Sequence, residues 1–324
     1  MPTSLSSDAI IECVPNFSEG VDESKVGAIV AAMQLDEVRL LDWSLDAAHN
    51  RSVVTIAGPP AAVVESAVRG AGRAAQLIDL TRQSGVHPRI GAADVVPFVP
   101  VSGISLAQCA MLAHQAGLEI WRRYGVPVYL YEAAAARPDR INLEDVRRGQ
   151  FEGLRETAHR DAARRPDIGG PEVHPTAGAS AVGARRFLIA YNIYLAAPTP
   201  AAPSTLPGAA QADVTAVRAI ARAIRASAGG LHGVKAIGLS VNGRAQVSMN
   251  ITDFRITPMR QIHAAVRELA RNHGAAIAEG ELIGLIPQEA YEPDADWVRE
   301  IPNFDPEAKV LERKLHHPLP WPSA

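Results

Sequence analysis

The chain has 324 residues, 47% of them hydrophobic and 21% charged, enough for two domains or one large one and for a core without disulfide or metal staples. Thirty-two basic against 35 acidic residues leave a net charge of −3, a balance that argues against a protein built to coat nucleic acid or an anionic membrane. Two cysteines are too few for a disulfide framework or a Cys-based zinc site, and the apolar runs around Cys13 and Cys109 predict buried, reduced thiols.

Residues Met1 to Asp8 are polar and lack the basic and apolar regions of a signal peptide. No apolar run approaches the roughly 18 residues that span a bilayer, so the expectation is a soluble, cytoplasmic protein. Ile10–Cys13 reads as a short strand closed by Val14-Pro15-Asn16. Glu23–Met33 sets Val26, Ile29, Val30 and Met33 on one face at helical spacing. Val38–Trp43 and Ser52–Gly58 read as strands. Pro60 then opens a helix whose stripe is Val63, Val64, Ala67, Val68, Ala71, Ala74 and Ile78, and Asp94–Pro100 is a further strand.

A helix at Ser105–Tyr124, a strand at Val128–Tyr131, a polar stretch from Arg137 to Arg165 and a Gly- and Pro-rich loop from Pro166 to Ala181 come next. Phe187–Leu195 reads as a strand, Ala197–Gly208 as a surface connection and Ala212–Ser227 as a helix. Val234–Val241 and Arg244–Thr252 are joined by Asn242-Gly243, the dipeptide a type I′ hairpin asks for. Pro258–Asn272 reads as a helix, Glu281–Ile286 as the closing strand, and the tail past Tyr291 as a surface segment. Both halves thus read β-α-β-β-α-β, the split βαβ order of ferredoxin-like units. The predicted class is α+β: two tandem ferredoxin-like subdomains, 1–186 and 187–324, with facing sheets and helices on the outer sides.

The chain has no P-loop, no His-Glu-x-x-His and no Gly-x-Ser-x-Gly elbow. Gly70-Ala71-Gly72 falls inside a helix, not after a strand, and the ten histidines show no ligand spacing, so no metal is expected. Three places carry candidate chemistry. His87, in Ser84-Gly85-Val86-His87-Pro88-Arg89-Ile90-Gly91, stands in a loop stiffened by proline. That position suits proton transfer near neutral pH, or a histidine satisfying backbone groups at a turn. Asp42, Asp46, His49, Asn50 and Arg51 surround the turn between two strands, as a polar, carboxylate-bearing ligand would require, or as any solvated turn would. Residues Gly169, Gly170, Pro171, Glu172, Val173, His174, Pro175, Thr176, Ala177 and Gly178 form a loop whose backbone N–H groups could grip an anion or flat heterocycle; a domain linker has the same composition.

Long segments of the chain resemble glutamate formimidoyltransferase. They are Ile11 to Gly20 (IECVPNFSEG), His49 to Val53 (HNRSV), His87 to Pro100 (HPRIGAADVVPFVP), Pro127 to Tyr131 (PVYLY), Gly183 to Asn192 (GARRFLIAYN) and Gln246 to Asn250 (QVSMN). The resemblance runs in order from Ile10 to Pro287. It implies transfer of a formimino group from N-formimino-L-glutamate to N5 of tetrahydrofolate, which is a co-substrate, in a homodimer with no metal and no nucleic-acid or membrane partner. It also implies two facing α/β subdomains with folate between them, and no cyclodeaminase domain in this chain. The family's catalytic histidine falls on His87 and its folate loop on Gly169–Gly178, so that a β-branched residue at Gly178 is expected to weaken folate binding ahead of stability. Asp46, Asn50, Arg51 and Arg89 are the expected substrate-binding residues, with Arg186 a further partner for anionic groups. Where bacterial relatives commonly carry a second Asp before His-Asn-Arg, this chain has Ala48. That departure leaves open a different formimino donor or acceptor amine, or a folate-binding scaffold without turnover.

Overall fold

Proline has no N–H to give to a ladder, and the first strand breaks where one occurs. In the computed structural model, which describes residues 8–47, 49–85, 88–197 and 214–322, β1 (Ile10–Cys13) stops at Val14-Pro15 and the chain resumes as β2 (Asn16–Phe17). Helix α1 (Glu23–Ala32) follows, capped by the Asp22 side chain, which accepts from the Ser24 and Lys25 N–H groups. Then come β3 (Arg39–Asp46), β4 (Arg51–Gly58), α2 (Pro60–Leu77) and β5 (Ala93–Ser102). The expected stripe of α2, from Val63 to Ile78, is buried throughout.

Helix α3 (Leu106–Tyr124) starts in a capping box of Ser105 and Gln108 and ends at Gly125, where φ is 65°. After it come β6 (Val128–Glu132), the short helices α4 (Leu143–Val146) and α5 (Gln150–Thr157), and β7 (Ser180–Ala184). In the sheet, β1 and β2 lie between β4 and β5, β3 edges β4, and β7 and β6 extend β5 in parallel. The polar stretch from Arg137 to Arg165 is more ordered than its composition suggests, with Phe151, Leu154 and the whole of Arg140 buried.

The second sheet is built from β8 (Ile189–Ala196), β9 (Val234–Val241), β10 (Arg244–Ile251) and β11 (Ala276–Ile283), with α6 (Val214–Ile224) and α7 (Met259–Asn272) between them in the chain. Its order is β11-β8-β10-β9, antiparallel throughout. Asn242 and Gly243 have φ of 49° and 76°, as the type I′ turn demands. Ile189, Tyr191, Ile193 and Leu195 alternate into a core shared with Val217, Ile220, Ile262 and Val266.

Two corrections belong to this half. The closing strand begins at Ala276, not Glu281, and ends at Ile283 because Gly284 turns left-handed at φ 69°. A register shift between Ile277 and Glu279 breaks the alternation that would have marked its start. The tail is not all surface: Val298, Ile301, Val310 and Leu311 are buried, with Val310 bridging Ile286, while Leu319 pairs with Leu40 of the first sheet. The fold is a mixed α+β one of two compact units. One runs to Arg186 and takes in the residues from Pro318; the other is Phe187–His317. No helix of the described residues is long and apolar enough to cross a membrane.

Candidate active site

The three candidate clusters meet around one loop of the first unit, Ser84 to Arg89. Val86 and His87 themselves lie outside the described residues, as does Ala48; both arms of the loop are defined. On the first arm, Asn50 Nδ2 donates to the Ser84 carbonyl at 2.8 Å, and Gln83 Nε2 donates to the Asn50 carbonyl at 3.1 Å. Asn50 Oδ1 accepts from the Gly20 N–H at 2.9 Å. Asparagine suits this corner because its φ is 48°, a left-handed conformation it tolerates better than most side chains. Its amide is thereby spent on holding the turn, the Ser18-Glu19-Gly20 segment and the loop together.

The second arm is clamped by Arg89, which is 7% exposed. Its Nε donates to Gln83 Oε1 at 2.5 Å, and its fork meets both oxygens of Glu152 at 2.9 and 3.2 Å. Nη2 also reaches the Gln83 and Leu80 carbonyls at 3.0 and 3.4 Å. Arg89 is among the substrate-binding residues that the resemblance implies; in the folded chain its guanidinium engages a protein carboxylate and the ends of the loop. Arg186 stands exposed at the end of the first unit.

The Gly169–Gly178 loop packs against the same arm. Its second half is a tight hairpin, with His174 N–H donating to the Gly178 carbonyl at 2.8 Å and Gly178 N–H to the His174 carbonyl at 3.0 Å. Leu80, Ala92 and Ala179 N–H groups tie it to the chain on either side of His87, accepted by Thr176, Ala177 and Ile90 carbonyls at 2.9 Å each. Gly178 and Gly91 face one another. Val173, Ala177 and Gly178 are buried, whereas Pro171, Glu172 and Pro175 are exposed. His174 Nδ1 accepts from the Ala177 N–H at 3.0 Å, which places the proton of the neutral ring on Nε2. Burial lowers its pKa, favouring that neutral form.

Strand β3 presents Asp42, Ser44 and Asp46 on one face by its alternation. Asp46 Oδ2 lies 2.6 Å from His49 Nδ1, and Oδ1 accepts the His49 N–H at 3.0 Å. Burial alone would raise the Asp46 pKa; the hydrogen bonds and charge of His49, with the charge of Arg51, bring it below its ordinary value. His49 therefore has a carboxylate partner without any help from position 48. Arg51 is pulled below its ordinary pKa by burial and by the nearby charge of Arg147, which Asp46 and Asp94 counter in part. Asp94 and Arg147, paired with one another, escaped the sequence reading, as did Ser18. Ser18 Oγ donates to the Gly91 carbonyl at 2.7 Å. The signal available for Ser18 was its place in the IECVPNFSEG segment. Among the described residues no group of three or more His, Cys, Asp or Glu could hold a metal ion.

The arrangement is a loop held on both arms, beside a polar turn that ends in Arg51 and a glycine hairpin. Comparison with known proteins gives it a family. Residues 10–185 match the formiminotransferase domain, N-terminal subdomain, and residues 190–314 match the formiminotransferase domain. The chain is 39% identical over 310 residues to a glutamate formimidoyltransferase of Streptococcus pyogenes, covering 94% of this chain and 98% of that one. A glutamate formimidoyltransferase of Thermoplasma acidophilum is likewise 39% identical, over 95% of this chain and 97% of its own. The formimidoyltransferase-cyclodeaminase of Gallus gallus is 39% identical over 87% of this chain and 51% of its own length. Two family matches that between them span both units, and relatives aligned nearly end to end, make this chain a member of the formiminotransferase domain family.

Proposed function

We propose that the protein transfers the formimino group of N-formimino-L-glutamate to N5 of tetrahydrofolate, releasing L-glutamate and 5-formiminotetrahydrofolate. In this reaction N5 attacks the amidine carbon and a new C–N bond forms. The bond from that carbon to the glutamate nitrogen breaks, and the proton lost from N5 is balanced by one gained by the departing nitrogen. His87 serves as the group that takes the first proton and returns the second. Such a group is worth about 10²- to 10⁴-fold in rate, and holding both substrates side by side adds more. No redox step or metal is required by this balance.

The observation that carries the reading is the convergence on one loop. Asn50 and Gln83 fix the arm before His87, and Arg89 with the Gly178 hairpin fixes the arm after it. Gly169–Gly178 is the folate loop in this reading, offering its exposed Glu172 and Pro175 edge and the His174 Nε2–H. Asp46 and Arg51 belong to the donor side. Asn50 and Arg89 act there through the frame, as positioning residues. In support of tandem ferredoxin-like subdomains, β1, β3, β4 and β5 lie in the order β5-β1-β4-β3, which matches β11-β8-β10-β9 element for element. A cytoplasmic homodimer completes the reading.

The experiment is His87→Ala, assayed for folding, folate binding and transfer. The variant is expected to fold and bind tetrahydrofolate while losing at least about 10²-fold in kcat. Near wild-type turnover would remove His87 from the chemistry and direct attention to His49 and His174.

A further inference from the structure

Both arms of the loop that carries His87 are tied to one short segment, Ser18 to Gly20. On the exit arm the Ser18 N–H donates to the Ala92 carbonyl at 2.9 Å, and Ser18 Oγ to the Gly91 carbonyl at 2.7 Å. Asp94 steadies the same arm by accepting the Ile90 N–H at 2.7 Å. On the entry arm the Gly20 N–H donates to Asn50 Oδ1 at 2.9 Å, and Asn50 Nδ2 passes the tie on to the Ser84 carbonyl at 2.8 Å. Ser18 and Gly20 are two residue steps apart, so their Cα atoms stand no more than about 7 Å from one another. The seven steps from Ser84 to Gly91 could reach about 24 Å if extended. The segment is a clasp that keeps the two arms together.

Gly20 leaves the clasp no slack. A Cβ there would lie 2.4 Å from the Asp46 carbonyl oxygen and 2.4 Å from the Arg51 backbone nitrogen, so its backbone is seated directly on the turn assigned to the donor. The shape of the clasp comes from Glu19, which is 7% exposed. Its Oε1 accepts the Val21 and Asp22 N–H groups at 3.0 Å each, and its Oε2 accepts from Lys25 Nζ at 3.2 Å. Taking a carboxylate out of water is costly, and α1 does not need this one, because the Asp22 side chain already caps it. The Glu19 bonds instead close a turn over Glu19–Asp22, and that turn fixes how Gly20 leaves Ser18.

We propose that Glu19 is a positioning residue for the transfer: through its turn it holds Ser18 on one arm and Gly20 on the other, and so fixes the His87 loop against the donor turn. The proposal rests on the transfer reading above, with His87 as the group that moves the proton. Displacing such a group by about 1 Å costs on the order of 10²-fold in rate. The role belongs to the Oε1 bonds and not to the charge, and the two are separable by substitution. A glutamine keeps an oxygen for the Val21 and Asp22 N–H groups, while Lys25, whose side chain is 40% exposed, turns to solvent.

The test compares Glu19→Ala, Glu19→Gln and Lys25→Met in the full chain, at a temperature where each is folded. It measures kcat, the KM of each substrate, and amide exchange at Ser18, Gly20 and Ala92 relative to β10. Glu19→Ala is expected to lose about ten- to a hundred-fold in kcat, with both KM values within about threefold. Its three amides are expected to exchange at least about tenfold faster. Glu19→Gln and Lys25→Met are expected to stay within about threefold of the wild type in kcat. Wild-type kcat or unchanged exchange in Glu19→Ala would overturn the proposal, as would a loss in Glu19→Gln or Lys25→Met equal to that in Glu19→Ala. Where Glu19→Ala does not fold, Ser18→Ala decides: a fall in kcat of about five- to tenfold supports the clasp, and wild-type kcat overturns it. A wild-type protein that transfers no formimino group, with exchange still faster in Glu19→Ala and restored in Glu19→Gln, would count against the transfer reading alone.

Discussion

A loop glycine can serve a ligand or the fold, and at Gly178 the backbone geometry carries a demand of the fold. Its φ is 69°, and a Cβ there would sit 2.1 Å from the Ile90 carbonyl oxygen and 2.9 Å from Leu80 Cδ1. The sequence reading expected a β-branched residue here to weaken folate binding first. The geometry instead predicts that Gly178→Val destabilises the folate-free protein by on the order of 3 kcal/mol, from the strained backbone and the displaced carbonyl together. Thermal unfolding should show a fall of roughly 6–12 °C; an unchanged Tm with weakened folate binding would return Gly178 to the ligand. Arg89 makes a parallel case. A lysine cannot reproduce its fork to Glu152 and the Gln83 and Leu80 carbonyls. Arg89→Lys should lower Tm and kcat while leaving the donor KM within about twofold. A raised donor KM at unchanged kcat would instead place Arg89 against the substrate. Arg147 was invisible to sequence reading for a simple reason: it is one of many arginines between Arg137 and Arg165, and only the folded chain shows which of them turns inward.

At the scale of elements, α7 lies against β8 through a histidine. His263 Nδ1 is 2.9 Å from the Tyr191 hydroxyl, and its ring meets Trp297 edge-on at 4.9 Å. Burial first, and the charge of Arg267 second, push its pKa down to about 4. The folded state thus favours the neutral ring. The stabilisation is complete above the ordinary histidine pKa near 6.5 and is lost as pH falls from there towards 4. Unfolding of the second unit, followed across that range, should be more acid-sensitive in the wild type than in His263→Gln. Equal pH dependence would mean the ring is solvated. Most elements were legible because their patterns are local: the stripe of α2, the caps of α3, the Asn-Gly turn. Strand β7 was not. Ser180–Ala184 has only small side chains and one β-branched residue, and Gly183 is required where the Tyr131 ring would meet a Cβ at 2.5 Å. Its strand character comes from β5 and β6 on either side, information that no local pattern holds.

For the whole molecule, the residues proposed to form the site span 161 positions of the first unit, from Ser18 to Gly178, and the fold brings them to the two arms of one loop. Sequence segments identified the family; they did not reveal that Asn50 and Arg89 brace the loop, or that Asp94 holds its exit. The central claim, that this frame serves formimino transfer, is tested most directly by isotopic labelling of the formimino carbon. Purified protein is mixed with labelled N-formimino-L-glutamate and tetrahydrofolate, and the label is followed by NMR. The account predicts that the label leaves the glutamate nitrogen and appears on N5 of the folate, in step with release of glutamate. Binding of both substrates with the label remaining on glutamate would contradict it, and would leave a folate-binding scaffold in place of an enzyme.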